Sequence, residues 1–100
     1  MKLTSIDDYK IIYRLHALER MFARKISDKD VEYLLKQGEI IELYDDDYPL
    51  PSMLINGNMS NNRPLHLVVA VNKDEKKLII ITIYEPNPLK WLNNFSRRKQ

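Results

Sequence analysis

Arg14-Leu15-His16-Ala17-Leu18-Glu19-Arg20-Met21-Phe22-Ala23-Arg24 is the stretch whose reading decides the fold. At about 100° per residue, Ile11, Leu15, Leu18 and Phe22 fall in one apolar stripe. Leu, Ala, Glu, Arg and Met favour helix. The spacing predicts a helix that begins between Asp8 and Ile11, ends near Arg24 or Lys25, and turns its stripe to a core. His16, Arg20 and Arg24 stand at i, i+4 and i+8, a row drifting about 40° per step on the opposite side. That row aligns an imidazole with two permanent cations.

Downstream, Ser27-Asp28-Lys29-Asp30 reads as a second helix start, a Ser cap with acidic residues in the first turn. Val31, Leu34 and Leu35 form its apolar side, and Gly38 suits the residue after its end. The periodicity then changes. Strands are expected at Glu39–Tyr44, Ser52–Asn56, Leu65–Val71 and Leu78–Tyr84, with a polar loop over 57–64. Asn87 can cap a final helix with Pro88 in its first turn, and Leu89, Trp91, Leu92 and Phe95 offer apolar cover. The expected fold is a single α+β domain over 1–100: two N-terminal helices on a four-stranded, mainly antiparallel sheet, closed by a short C-terminal helix.

Composition narrows the function classes. The 100 residues are 44% hydrophobic and 30% charged, as in an ordinary globular chain. There is no cysteine, which excludes disulfides and thiolate zinc sites. No run of 18 apolar residues offers a membrane span, and the first residues lack an apolar signal segment, so a cytoplasmic protein is expected. The net charge of +2 is small, but its distribution is uneven. Arg14 to Lys25 carries four cations against Glu19, and Lys90 to Gln100 carries Lys90, Arg97, Arg98 and Lys99 with no acid. Asp45-Asp46-Asp47 is an acidic turn without the spaced ligands or glycine of a calcium loop.

His66 is the second histidine, set in a strand on the face of Val68 and Ala70. Thr82 and Tyr84 share a face of the next strand. Whether the two faces coincide depends on register, since a slip of one residue moves a whole set across the sheet. Imidazoles, guanidinium groups and a phenol, without cysteine or a recognisable carboxylate cluster, point to metal-free phosphoryl chemistry needing no cofactor. Cleaving RNA this way takes a base at the 2′-hydroxyl, an acid at the leaving 5′-oxygen and cations at the phosphate. Tyr13, on the side of Arg20, is the exposed aromatic expected to stack on a base.

His16-Ala17-Leu18-Glu19-Arg20-Met21, Arg24, Ser27-Asp28-Lys29-Asp30-Val31, Gly38-Glu39-Ile40-Ile41, Pro64-Leu65-His66-Leu67-Val68-Val69 and Ile81-Thr82-Ile83-Tyr84-Glu85-Pro86 occur in order. Over roughly residues 13–98 the chain resembles domain-of-unknown-function family 4258. That family in turn resembles the RelE-like and barnase-like group of metal-independent ribonucleases, often toxins paired with a protein antitoxin. The resemblance implies helices followed by a four-stranded antiparallel sheet. It implies His16, His66 and Tyr84 as catalytic residues, with His16 or His66 as general base or acid. Arg20, Arg24 and Arg97 or Arg98 would bind phosphate. The expectation is thus a toxin-like endoribonuclease acting on RNA. The alternative is a non-catalytic module of the same fold that binds RNA or a protein partner through its basic surface.

Overall fold

The computed structural model describes residues 2–59 and 61–99. In chain order it contains β1 (Lys10–Tyr13), α1 (Leu15–Arg24), α2 (Asp28–Gln37), β2 (Glu39–Tyr44), β3 (Ser52–Asn58), β4 (Pro64–Asn72) and β5 (Lys77–Tyr84). The small strands β6 (Trp91–Leu92) and β7 (Arg97–Arg98) follow. Strands β1 to β5 form one mixed sheet in the order β1-β5-β4-β3-β2, with β1 parallel to β5 and the other pairs antiparallel. β6 and β7 pair as a separate hairpin. α1 packs on β5 and α2 on β3. Both helices cover one face, where Ala17, Met21, Val31, Leu34 and Leu35 meet Ile55, Leu65, Leu67, Val69, Ile80 and Ile83. No helix among the described residues is long and apolar enough to cross a membrane.

This architecture corrects the expected four-stranded antiparallel sheet with a C-terminal helix, and with it the RelE-like or barnase-like layout. The chain does not enter its first helix at Asp8–Ile11. Lys10–Tyr13 is an edge strand in which Ile11 pairs with Leu78 and Tyr13 with Ile80. Adjacent β-branched Ile11 and Ile12 favour a pleated backbone. The i, i+4 relation between Ile11 and Leu15 spans two elements, because Arg14 between them is extended, with ψ 151°.

The stripe is corrected too. α1 buries Ala17 and Met21, one turn apart, while Leu15, Leu18 and Phe22 stand in solvent. The small Ala17 lets the helix lie close to the sheet, and the larger side chains ride on its flank.

At the other end, Asn93, Asn94 and Phe95 have φ of 52°, 55° and 68°. Three successive left-handed residues cannot continue a helix and instead turn β6 back into β7. Asn87 spends its carboxamide on the Leu89 amide, a local turn in place of a helix cap.

Other expectations hold. Ser27 and Asp30 form a reciprocal capping box at the start of α2. The four expected strands correspond to β2 to β5. Of the expected 57–64 loop, Ser60 lies outside the described residues, and β3 and β4 shorten the loop from both ends.

Gly38 does end α2, but at φ −71° rather than in the left-handed region. Its glycine is required by proximity. A Cβ there would sit 2.4 Å from Ile55 Cγ2 and 2.6 Å from the Leu34 carbonyl oxygen. At Gly57 the nearest atom to such a Cβ is Leu34 Cγ at 3.4 Å, an ordinary contact. Gly38→Ala is therefore expected to destabilise by about 1–3 kcal/mol. Gly57→Ala is expected to be neutral or stabilising by up to about 1 kcal/mol. Urea unfolding of the two variants checks the contrast, and equal losses would contradict it.

Candidate functional site

The face of the sheet that carries no helix holds a cluster of polar side chains, and two β-bulges place several of them there. In β2, Ile40 pairs with Ile55 and Glu42 with Leu54, leaving Ile41 as the extra residue. In β5, Ile80 pairs with Val69 and Thr82 with Val68, leaving Ile81 extra. Strict alternation would put Glu42 on the helix side with Ile40, and Thr82 and Tyr84 there with Ile80. Each bulge inverts that alternation. Glu42, Tyr44, Thr82 and Tyr84 thus join His66 on the helix-free face, with His66 paired directly with Tyr84 across the strands.

His66 is wholly buried, at 0% exposure. Its cover is the β6–β7 hairpin. The Trp91 ring meets the imidazole edge-on with centroids 4.4 Å apart. Nε2 lies 2.8 Å from the Phe95 carbonyl oxygen, and Nδ1 lies 3.2 Å from the Tyr84 hydroxyl. A carbonyl can only accept, so Nε2 carries the proton of the neutral ring. Nδ1 is then free to accept from the Tyr84 hydroxyl. Phe95 presents its carbonyl from φ 68°, a costly conformation for an aromatic residue, held where the histidine needs a partner. Asn56 Nδ2 donates to the Asn94 carbonyl at 3.0 Å and ties the same turn to β3.

Beside this pair stands a charged one. Arg98 donates through Nε to Glu42 Oε2 at 2.7 Å and through Nη2 to Oε1 at 3.0 Å, and Tyr44 also donates its hydroxyl to Oε1. The guanidinium lies 4.7 Å from the centre of the Trp91 ring. Arg98 and then Tyr44 hold the Glu42 carboxyl below its usual range, against the opposing effect of burial. The same contacts raise Arg98 further. Burial raises the phenols of Tyr44 and Tyr84, so both keep their protons near neutrality. Burial lowers His66, partly offset by its bond to Phe95 and by the charge of Glu42. Among the described residues, no three of His, Cys, Asp or Glu converge as a metal ion would require.

The residues singled out from sequence are divided between two faces. His66, Tyr84 and Arg98 come together here, and Arg97 lies exposed on the covering hairpin. His16, Arg20 and Arg24 are exposed on α1, on the helix side of the sheet. The two histidines therefore do not share a cleft. Tyr13 is no exposed platform beside Arg20. It is half-buried in β1 against the core, its phenol raised by burial and by the nearby charges of Asp28 and Glu32. Sequence reasoning missed Glu42, Tyr44, Asn56 and the Phe95 carbonyl. Glu42 and Tyr44, two apart in one strand, were a visible signal. The backbone of Phe95 left none.

A family model described as Domain of unknown function (DUF4258) matches residues 13–85. No curated protein and no solved structure matches the chain.

Because burial depresses His66, the unfolded chain takes up a proton there more readily than the folded one. The stabilisation from keeping the ring neutral is complete above the ordinary value of 6.5 and is lost as pH falls from there through the folded value. His66→Gln is expected to melt lower than wild type at pH 8 and to lose less between pH 7 and pH 5. Melting curves across that range check the convergence. Parallel curves would contradict a buried, neutral imidazole.

Proposed function

The chain belongs to the DUF4258 family, and we propose that it is a metal-independent endoribonuclease whose chemistry lies on the helix-free face of the sheet. One observation carries this reading: the line from the Phe95 carbonyl through His66 to the Tyr84 hydroxyl. A carbonyl fixes the tautomer, and the fixed tautomer presents an acceptor nitrogen to a phenol. Such an arrangement makes a weak acid usable as a proton carrier. Tyr84 takes the proton of the 2′-hydroxyl as it passes its own to His66 Nδ1. The 2′-oxygen then attacks phosphorus, and the 5′-oxygen leaves behind a 2′,3′-cyclic phosphate.

His66 is buried and acts through Tyr84, so it is a positioning residue and proton store. Arg98 turns two of its five N–H donors to Glu42 and has three left for phosphate oxygens. Glu42 keeps the guanidinium oriented. Tyr44, which keeps its proton because burial and the bond to Glu42 raise its phenol, would protonate the leaving oxygen by turning its hydroxyl from Glu42. Arg97, Lys90 and Lys99, exposed on and beside the hairpin, provide charge along the RNA backbone.

A second reading has its own support. Both ring nitrogens of His66 are satisfied and Trp91 seals it, which is also how a purely structural histidine looks. The face would then bind RNA without cutting it.

Incubation of the purified chain with mixed-sequence single-stranded RNA in excess EDTA separates the two. Cleavage to cyclic-phosphate ends is expected, falling at least about 100-fold in Tyr84→Phe. It should persist within about threefold in His16→Ala, which lies on the other side of the sheet. Salt-sensitive binding with intact RNA would support the second reading. Loss of cleavage in His16→Ala alone would move the chemistry to α1.

A further inference from the structure

Beside His66 the surface hollows into a cleft of about 330 Å³, lined by Asn56, Asn58, Asn62, Pro64, Asn94 and Phe95. Four of its lining residues are asparagines and none is charged, in a chain that is 30% charged. The adjoining Arg63 spends its guanidinium on Glu85 and on the Arg24 carbonyl. A carboxamide offers both donors and acceptors, so a ligand matched to such walls is neutral and presents both in return.

Two of the asparagines answer to the backbone. Asn62 and Asn94 stand at φ 65° and 55°, where asparagine is tolerated better than most residues. Asn56 and Asn58 have no such reason. Both lie in β3, where asparagine is disfavoured, and their spacing of two puts them on one face. Asn56 gives one N–H to the Asn94 carbonyl, which holds its carboxamide at the cleft and leaves its oxygen and second N–H over. Asn58 is exposed, and its carboxamide has no partner among the described residues. Valine or threonine would serve the strand better at that position.

The placement of the cleft narrows the ligand further. Asn56 pairs with His66 and His66 with Tyr84, so the three form one row across β3, β4 and β5. Two strand spacings set Asn56 about 10 Å from Tyr84, backbone to backbone, a span within reach of one nucleotide. We propose that the cleft holds an adenine base beside the phosphate on which Tyr84 and Arg98 act, with Asn58 reading its edge. A carboxamide pairs bidentately with adenine N6 and N7. Guanine is matched by Arg or Lys and cytosine by Asp or Glu, none of which lines the cleft. In single-stranded RNA the base edges are open to this reading. Pro64, opposite Asn58 in β4, gives the ring an apolar surface to lie on. Such a subsite rests on the reading that RNA crosses the helix-free face, and needs no cleavage there.

The probes are labelled 2′-O-methyl RNA heptamers, six uridines around a central A, C, G or U, which cannot be cleaved through the 2′-position. Fluorescence anisotropy is expected to show the adenine heptamer binding at least about tenfold more tightly than the other three. Asn58→Ala should bring all four within about threefold of one another without lowering the melting temperature, since the side chain is exposed. Asn58→Asp, which replaces the donor by a second acceptor, should turn the preference to cytosine. Equal affinities in the wild type, or an adenine preference that Asn58→Ala leaves intact, overturns the assignment. Adenosine monophosphate binding as tightly as the adenine heptamer would make the cleft a site for a free nucleotide and overturn its place beside the phosphate. RNA cleavage without any adenine preference removes this subsite and leaves the ribonuclease reading standing. Adenine-selective binding without cleavage does the reverse.

Discussion

The site on this protein depends on two extra residues in the sheet. Strands alternate their side chains with period two, so a strand's identity as core or surface is set along its whole length by its register. Ile41 and Ile81 break that rule once each, in β2 and β5. Upstream of each bulge the helix-facing positions continue the core, with Ile40 in β2 and Leu78 and Ile80 in β5. Downstream, Glu42, Tyr44 and Tyr84 face away from the helices, toward His66. Without the two bulges, a carboxylate and two phenols would point at the apolar layer beneath α1 and α2. The strands therefore serve the core at one end and the polar cluster at the other.

The C-terminal hairpin completes what the bulges begin. A buried imidazole must have its nitrogens satisfied or lose stability by the cost of desolvating them. The sheet supplies one partner, Tyr84, and the hairpin turn supplies the other, the Phe95 carbonyl. Arg98 then bridges from the hairpin to Glu42 on an edge strand, beside Trp91. The hairpin is thus fastened through the same groups that make up the cluster. Its left-handed turn at Asn93, Asn94 and Phe95 is tolerable for two asparagines and costly for the phenylalanine. That cost falls at the residue whose carbonyl orients the histidine.

Local chemistry made much of this legible in the sequence. The Ser27–Asp30 capping box, the four strands from β2 to β5 and the sharing of a face by His66 and Val68 rest on signals within a few residues. What was not legible arose from relations between distant segments. A helical spacing from Ile11 to Phe22 matched an apolar stripe because it combined a strand with the exposed flank of a helix. Register decided whether His66 met Tyr84, and register was set by bulges that residue types do not announce. Asn87-Pro88 carried the signature of a helix start, yet the left-handed residues after Trp91 turned the chain back. For the same reason the row of His16, Arg20 and Arg24 was visible from sequence while its distance from His66 was not. Those two histidines belong to opposite sides of the sheet, and any account of the chemistry has to choose between them.

That choice is open to one direct measurement. Isotope-labelled protein titrated with a short 2′-deoxy oligonucleotide, which cannot be cleaved through its 2′-position, reports by NMR which residues the nucleic acid touches. Chemistry on the helix-free face requires the resonances of Glu42, Asn56, Tyr84 and Arg98, and of the hairpin residues around them, to shift together and saturate with one affinity. Shifts confined to α1, with His66 and Tyr84 unmoved, would contradict it.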